Sequence, residues 1–242
     1  MPGAISPRPS GGSSADGAPC VKEPCTESWA NQPQVAVLDG GATLDPAWAV
    51  GRTHRSILFD QGGSSVLIGK GGNDHFVFDS TGRGAEDTAF GGHGDDVLDM
   101  SEAACPDVLT FHGGLGRDRY FDDSSCGNVT FLGERGNDST VSFGTHFGSV
   151  VLDGGDGDDV LRGGDERTIL RGGSGRDRLF GDLTPDGSSD RLRGGPGADS
   201  LHGMSGRDRL LGGTGIDENF GGQGSDLCRS PARGPRARSC ER

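Results

Sequence analysis

From residue 154 onward the chain falls into nine-residue units with almost no slippage, and this period limits its fold more than any other feature. The units read GGDGDDVLR (154–162), GGDERTILR (163–171), GGSGRDRLF (172–180), GGPGADSLH (194–202), GMSGRDRLL (203–211), GGTGIDENF (212–220) and GGQGSDLCR (221–229). A 13-residue unit, GDLTPDGSSDRLR (181–193), keeps the register. Position eight is Leu161, Leu170, Leu179, Leu192, Leu201 and Leu210, then Asn219 and Cys228. Upstream, strong units begin at Gly69, Gly91, Gly113 and Gly133, spaced by 22, 22 and 20 residues, with 21 more to Gly154. Each gap holds a second unit that keeps little more than its strand: GRGAEDTAF (82–90), VLTF (108–111), NVTF (128–131) and SVVL (149–152). Two units therefore make one coil.

Each unit has a mechanical reading. The first six positions, GGxGxD, form a turn in which glycine supplies positive φ or close backbone approach. The last three form a short strand with position eight inward and its neighbours outward, where Arg178, Arg191 and Arg209 fall. No unit can bury its own leucine, so the coils must stack. Composition agrees, because 47 glycines and a hydrophobic share of 31% cannot easily build a conventional core. Glycine lies far below one-third, which excludes collagen, and no apolar run reaches membrane-span length. The expected class is all-β: a right-handed parallel β-roll solenoid with two nonapeptide half-turns per coil.

The flanks read differently. Residues 1–19 are a Pro/Gly/Ser-rich linker expected to be disordered. Residues 20–68 are expected to form an N-terminal cap with metal-free coils. There GRTHRSILF (51–59) and DQGGSSVLI (60–68) keep Leu58 and Leu67 but carry Ser56 and Ser65 in place of Asp, and Trp29 or Trp48 would cover the end. The roll proper spans 69–229, followed by a basic tail at 230–242.

The acids are lopsided, 28 Asp against 8 Glu in a chain of net charge −13, and the shorter acid suits turns and hard-cation sites. Separated by parity, position six on one edge reads Asp74, Asp96, Asp118, Asp138, Asp159, Asp177, Asp199 and Asp217. The other edge reads Asp87, Leu109, Val129, Val150, Thr168, Asp190, Asp208 and Asp226. Coils ~4.8 Å apart would stack like carboxylates into a repelling column unless a cation intervenes. Ca²⁺, which takes six to eight oxygens, suits such a column better than Mg²⁺ does. Asp87, alone on its stretch of edge, reads as a turn residue whose loss should matter little.

The units at 91–99, 113–121, 154–162, 172–180 and 194–202 resemble the RTX nonapeptide family, GGxGxDxUx, across roughly residues 60–229. Departures are Lys70, Glu134 and Met204 at position two, and Thr140 and Asn219 at position eight. The resemblance implies a calcium-loaded parallel β-roll, with turn carbonyls joining the Asp side chains. Carried over, these are the carbonyls of Gly91, His93, Gly113, Leu115, Gly154, Asp156, Gly172, Ser174, Gly194, Pro196, Gly212 and Thr214. It implies up to seven ions along the eight-acid column, and two more between the turns of Asp190, Asp208 and Asp226.

Other chemistry is poorly represented. There is no HExxH and no GxSxG, and DGGDGD (153–158) lacks the Glu that an EF-hand needs, since Gly164 stands there. The histidines lack ligand spacing, and the GRDR tetrads at 116–119, 175–178 and 206–209 read as a solvated face. No basic patch suits nucleic acid. Six cysteines point to an oxidising compartment, with Cys20–Cys25, Cys105–Cys126 and Cys228–Cys240 as the expected pairs. The start lacks an apolar h-region, so it is no Sec leader as written. The expected function is a secreted, non-catalytic calcium-binding roll that folds on Ca²⁺, with a cell-surface or polysaccharide ligand as contact. The alternative is a C-terminal folding and secretion module of a larger exported hydrolase or epimerase.

Overall fold

A computed structural model describes residues 34–38, 47–50, 55–60, 64–78, 85–100, 106–123, 127–142, 148–165, 167–181, 187–229 and 240. The architecture is all-β, with two ten-stranded sheets whose strands alternate in sequence. The first sheet holds β1 (Gln34–Leu38), β3 (Ser56–Asp60), β5 (His75–Phe78), β7 (Val97–Met100), β9 (Arg119–Asp122), β11 (Ser139–Ser142), β13 (Val160–Arg162), β15 (Arg178–Phe180), β17 (Ser200–Gly206) and β19 (Glu218–Gly224). The second holds β2 (Ala47–Val50), β4 (Ser65–Gly71), β6 (Glu86–His93), β8 (Val108–Leu115), β10 (Asn128–Arg135), β12 (Val150–Asp156), β14 (Thr168–Ser174), β16 (Arg191–Gly197), β18 (Arg209–Gly215) and β20 (Leu227–Arg229). Every pairing is parallel and joins a strand to the one two places on, so the chain is a β-solenoid of two strands per coil.

The register is the one the period dictates. In the first sheet position eight runs Leu98↔Tyr120↔Thr140↔Leu161↔Leu179↔Leu201↔Asn219, and each of these side chains is buried. In the second it runs Leu67↔Ala89↔Phe111↔Phe131↔Leu152↔Leu170↔Leu192↔Leu210. These two inward columns form a single hydrophobic core. Its N-terminal half is partly aromatic, with Phe111 centred 5.6 Å from Phe76 and 5.7 Å from Phe131. The polar members have partners: the Arg162 N–H donates to Thr140 Oγ1 at 3.1 Å, and Asn219 Nδ2 donates to the Arg229 carbonyl at 3.1 Å.

Strand alternation continues past the nonapeptide and brings in a buried acid the repeat reading missed. Asp122 lies two residues beyond inward-facing Tyr120, so it points inward as well, and the tyrosine hydroxyl donates to its Oδ2 at 2.6 Å. Burial, with Asp122 beside it, pushes the Tyr120 hydroxyl well above its ordinary pKa.

Strand length departs from the three residues expected per unit. Strands β6, β8 and β10 each span eight residues and run on through the first three positions of the following turn. They do so because the glycine turn is itself bonded from coil to coil: the Gly72 N–H donates to the His93 carbonyl at 2.8 Å, and Gly94 to Leu115 at 2.7 Å. The two edges differ in regularity. From β6 to β15, three residues join each second-sheet strand to the next first-sheet strand, as between His93 and Val97 or Ser174 and Arg178. The return connections vary, with seven residues between Met100 and Val108 and five between Asp122 and Asn128.

A disulfide joins Cys228 of β20 to Cys240, with Cα atoms 5.7 Å apart, as the spacing predicts. The expected Cys20–Cys25 and Cys105–Cys126 pairs, the 1–19 linker and Trp29 lie outside the described residues.

Candidate metal centre

The short connections from second sheet to first, of two or three residues, bring the position-six acids into one column on one edge. Asp74, Asp96, Asp118, Asp138, Asp159, Asp177, Asp199 and Asp217 are all buried, although no lysine or arginine pairs with them among the described residues. Each uses one oxygen in the same way: the N–H of one aspartate donates to Oδ1 of the aspartate a coil later. The distances are 2.7 Å from Asp74 to Asp96, 2.8 Å from Asp96 to Asp118, and 2.7 Å from Asp118 to Asp138 and from Asp138 to Asp159. They are 3.0 Å for Asp159 to Asp177 and Asp177 to Asp199, and 3.2 Å for Asp199 to Asp217.

The other oxygen, Oδ2, is buried in all eight residues with no hydrogen-bond partner among the described residues. Burying a carboxylate oxygen that way is costly, and the carboxyls show it. Burial pushes Asp118 up to about 8, Asp74 and Asp159 to about 7, and Asp96, Asp138 and Asp177 to about 6. Neighbouring acids add to the rise, and the N–H bond to Oδ1 opposes it.

The glycine at position one explains where Oδ2 sits. A Cβ on Gly69 would run into Asp74 Oδ2 and lie 2.6 Å from the Gly91 carbonyl oxygen of the next coil. The same pair of oxygens crowds Gly91 (Asp96 Oδ2 and the Gly113 carbonyl), Gly133 (Asp138 and Gly154), Gly154 (Asp159 and Gly172) and Gly194 (Asp199 and Gly212). A carboxylate oxygen and a carbonyl oxygen from successive coils thus face one small space with no donor between them. That donor set, all oxygen and net negative, fits a hard cation such as Ca²⁺. Glycine is required at this position because any side chain would fill the space.

The predicted ligands divide into groups. The carbonyls of Gly91, Gly113, Gly154, Gly172 and Gly212 face this space. Those of His93, Leu115, Asp156, Ser174 and Pro196 each accept an N–H from a glycine one coil earlier, so only their second lone pair is available to an ion. Among the described residues no three His, Cys, Asp or Glu side chains converge on one point. An ion on this edge would therefore need main-chain carbonyls as well as the aspartates.

The opposite edge repeats the arrangement only at its C-terminal end. There the Asp190 N–H donates to Asp208 Oδ1 and the Asp208 N–H to Asp226 Oδ1, each at 2.9 Å. Asp190 Oδ2 and the Gly203 carbonyl crowd Gly181 in the same fashion. Between the two acid stretches Leu109, Val129 and Val150 are buried and extend the apolar core to the edge. Asp87 differs from its sequence reading. Its Oδ1 accepts both the N–H and the hydroxyl of Ser65, at 2.7 and 2.9 Å, so it holds two coils together.

Comparison with known proteins agrees with this geometry. Neither the curated proteins nor the solved structures contain a match. The family model for the RTX calcium-binding nonapeptide repeat matches four times, at residues 81–99, 147–170, 153–183 and 184–218. Over those residues the chain carries RTX calcium-binding nonapeptide repeats.

Proposed function

We propose that the protein is an exported, non-catalytic scaffold whose calcium-binding roll folds when it meets millimolar calcium. The observation that carries this reading is the column of eight buried aspartates, each with an Oδ2 that no group among the described residues satisfies. Asp74, Asp96, Asp118, Asp138, Asp159, Asp177, Asp199 and Asp217 would hold the ions together with the position-one carbonyls, and Asp190, Asp208 and Asp226 would hold others. Bound calcium would neutralise the column and supply the attraction between coils that a thin core does not. Without it the acids repel, and the chain stays expanded. The Cys228–Cys240 bond supports an oxidising destination. The flat outer faces of the sheets would then serve as contact surfaces for a cell-surface or polysaccharide ligand.

The test is a calcium titration followed by far-ultraviolet circular dichroism, with bound ions counted by equilibrium dialysis. A coil-like spectrum that turns to β with several ions per chain is expected, at a Kd of roughly 10⁻⁴–10⁻³ M as in other extracellular modules. A protein already folded in chelator and indifferent to calcium would refute the reading. Assay against esters and polysaccharides in calcium tests the absence of catalysis.

A further inference from the structure

Position-six residues that stand directly before an acid, one coil earlier, yet are not acids themselves, occur at three places. They are Ser56 before Asp74, Ser65 before Asp87 and Thr168 before Asp190, as the strand registers show. All three are hydroxyl residues. Where the next coil offers no acid, position six is free of that pattern, with Leu109, Val129 and Val150 in succession.

The hydroxyls are used alike. The Thr168 N–H and Oγ1–H both donate to Asp190 Oδ1, at 2.8 and 3.0 Å. Ser65 does the same to Asp87. The Ser56 N–H lies 2.6 Å from Asp74 Oδ1, and its hydroxyl bonds the same carboxyl. Inside the acid column each Oδ1 receives the N–H alone, so the first carboxylate of every column gains a donor that its successors lack.

The hydroxyl also occupies a particular place. A Cβ on Gly163 would lie 2.5 Å from Thr168 Oγ1, just as a Cβ on Gly181 would lie 2.5 Å from Asp190 Oδ2. Thr168 Oγ1 thus fills the cradle in which an aspartate of the column seats its second oxygen. It brings a proton to that cradle where an aspartate would bring negative charge.

We infer that Ser56 and Thr168 terminate the calcium columns, and that Ser65 caps the lone Asp87 in the same way: a hydroxyl replaces the acid's second oxygen at the N-terminal end, donates to the next carboxylate, and sets where ion binding begins. The inference rests on the calcium reading above. It assigns no ion between the turns of Ser56 and Asp74, Ser65 and Asp87, or Thr168 and Asp190. At Thr168 it makes the absence of an ion a property of position six, because position one is already a glycine there, Gly163.

The test counts calcium per chain at saturation in the full-length protein, wild type beside Thr168→Asp and Thr168→Val, with circular dichroism to verify the β fold. Thr168→Asp should bind one ion more than wild type. Thr168→Val, which keeps the branched shape and removes the donor, should bind the same number as wild type with a lower unfolding temperature. A folded Thr168→Asp with no added ion would overturn the inference. So would a Thr168→Val that loses an ion, since the hydroxyl would then be a ligand. If wild type binds no calcium, the calcium reading itself fails, and the two failures are distinct.

Discussion

Replacing Asp159 by Asn separates the two oxygens of a column carboxylate. The amide keeps an acceptor at Oδ1 for the Asp138 N–H, 2.7 Å away, and leaves the Asp159 N–H bond to Asp177 untouched. What it removes is the charge at Oδ2, which has no hydrogen-bond partner among the described residues. Without calcium at pH 8 this should help. Burial lifts the Asp159 carboxyl from 3.8 to about 7. At about 1.4 kcal/mol per pKa unit, neutralising it relieves on the order of 2–4 kcal/mol, the lower end allowing for solvent screening through the turn. With calcium it should harm. On the proposed calcium reading, ions above and below would both use this carboxylate, and each at ten times its Kd would add about 1.4 kcal/mol, so about 3 kcal/mol of calcium-derived stability would be lost. Circular dichroism during calcium titration at pH 8 reads both effects. The variant should show more β signal in chelator, and its folding should depend less steeply on calcium, by up to about two ions per chain. An unchanged steepness with β signal reduced at every calcium concentration would refute the reasoning, since it would make Asp159 a hydrogen-bonding residue only.

Three further outcomes follow from the same geometry. The column carboxyls that burial lifts to about 6–8 bind more protons in the folded than in the unfolded chain. Their contribution to the calcium-free roll is therefore present below the unfolded pKa of about 4 and lost as pH rises through 6–8; acidifying a chelated sample from pH 8 to 5 should raise its β signal, and a falling signal would contradict this. Leu170→Ala empties a fully buried place between Leu152 and Leu192 and should cost about 2–5 kcal/mol in calcium-saturated heat unfolding, whereas Leu227→Ala, 54% exposed, should shift stability by no more than about 0.5 kcal/mol. Asp87→Ala strands the buried Ser65 N–H and should cost about 1–3 kcal/mol without changing the number of ions bound; a stability equal to wild type would restore the view of Asp87 as a dispensable turn residue.

The parity of the acids, the inward leucines and the coil register were all legible from one nine-residue period, because each depends on a residue and its own unit. What was not legible depends on the neighbouring coil. Asp87 looked isolated because its sequence neighbours in the column are Ser65 and Leu109, and only the stacked strands reveal that Ser65 donates to it twice. The position-three carbonyls looked like plain ligands until the glycine N–H of the preceding coil was seen to bond them. Asp122 was recoverable in principle, since alternation from Tyr120 points it inward, but the nonapeptide frame ends one residue too early to include it. The hydroxyls of Ser56 and Ser65 were read as missing acids, and their chemistry as donors became visible only against the carboxylates they face.

The unequal connections at the two edges bear on how such a chain can change over time. From β6 to β15 the link from second sheet to first is three residues at every coil, and inserting one there would pull an aspartate out of line with both its neighbours. The return link already varies between five and seven residues across adjacent coils while Leu109, Val129 and Val150 stay in register beneath it. Insertions, grafted peptides and lineage-specific loops should therefore accumulate after Met100, Asp122 and Ser142 and be purged after His93, Leu115 and Arg135. The roll has one edge on which length is fixed by chemistry and another on which new recognition surfaces can be added without retuning the rest.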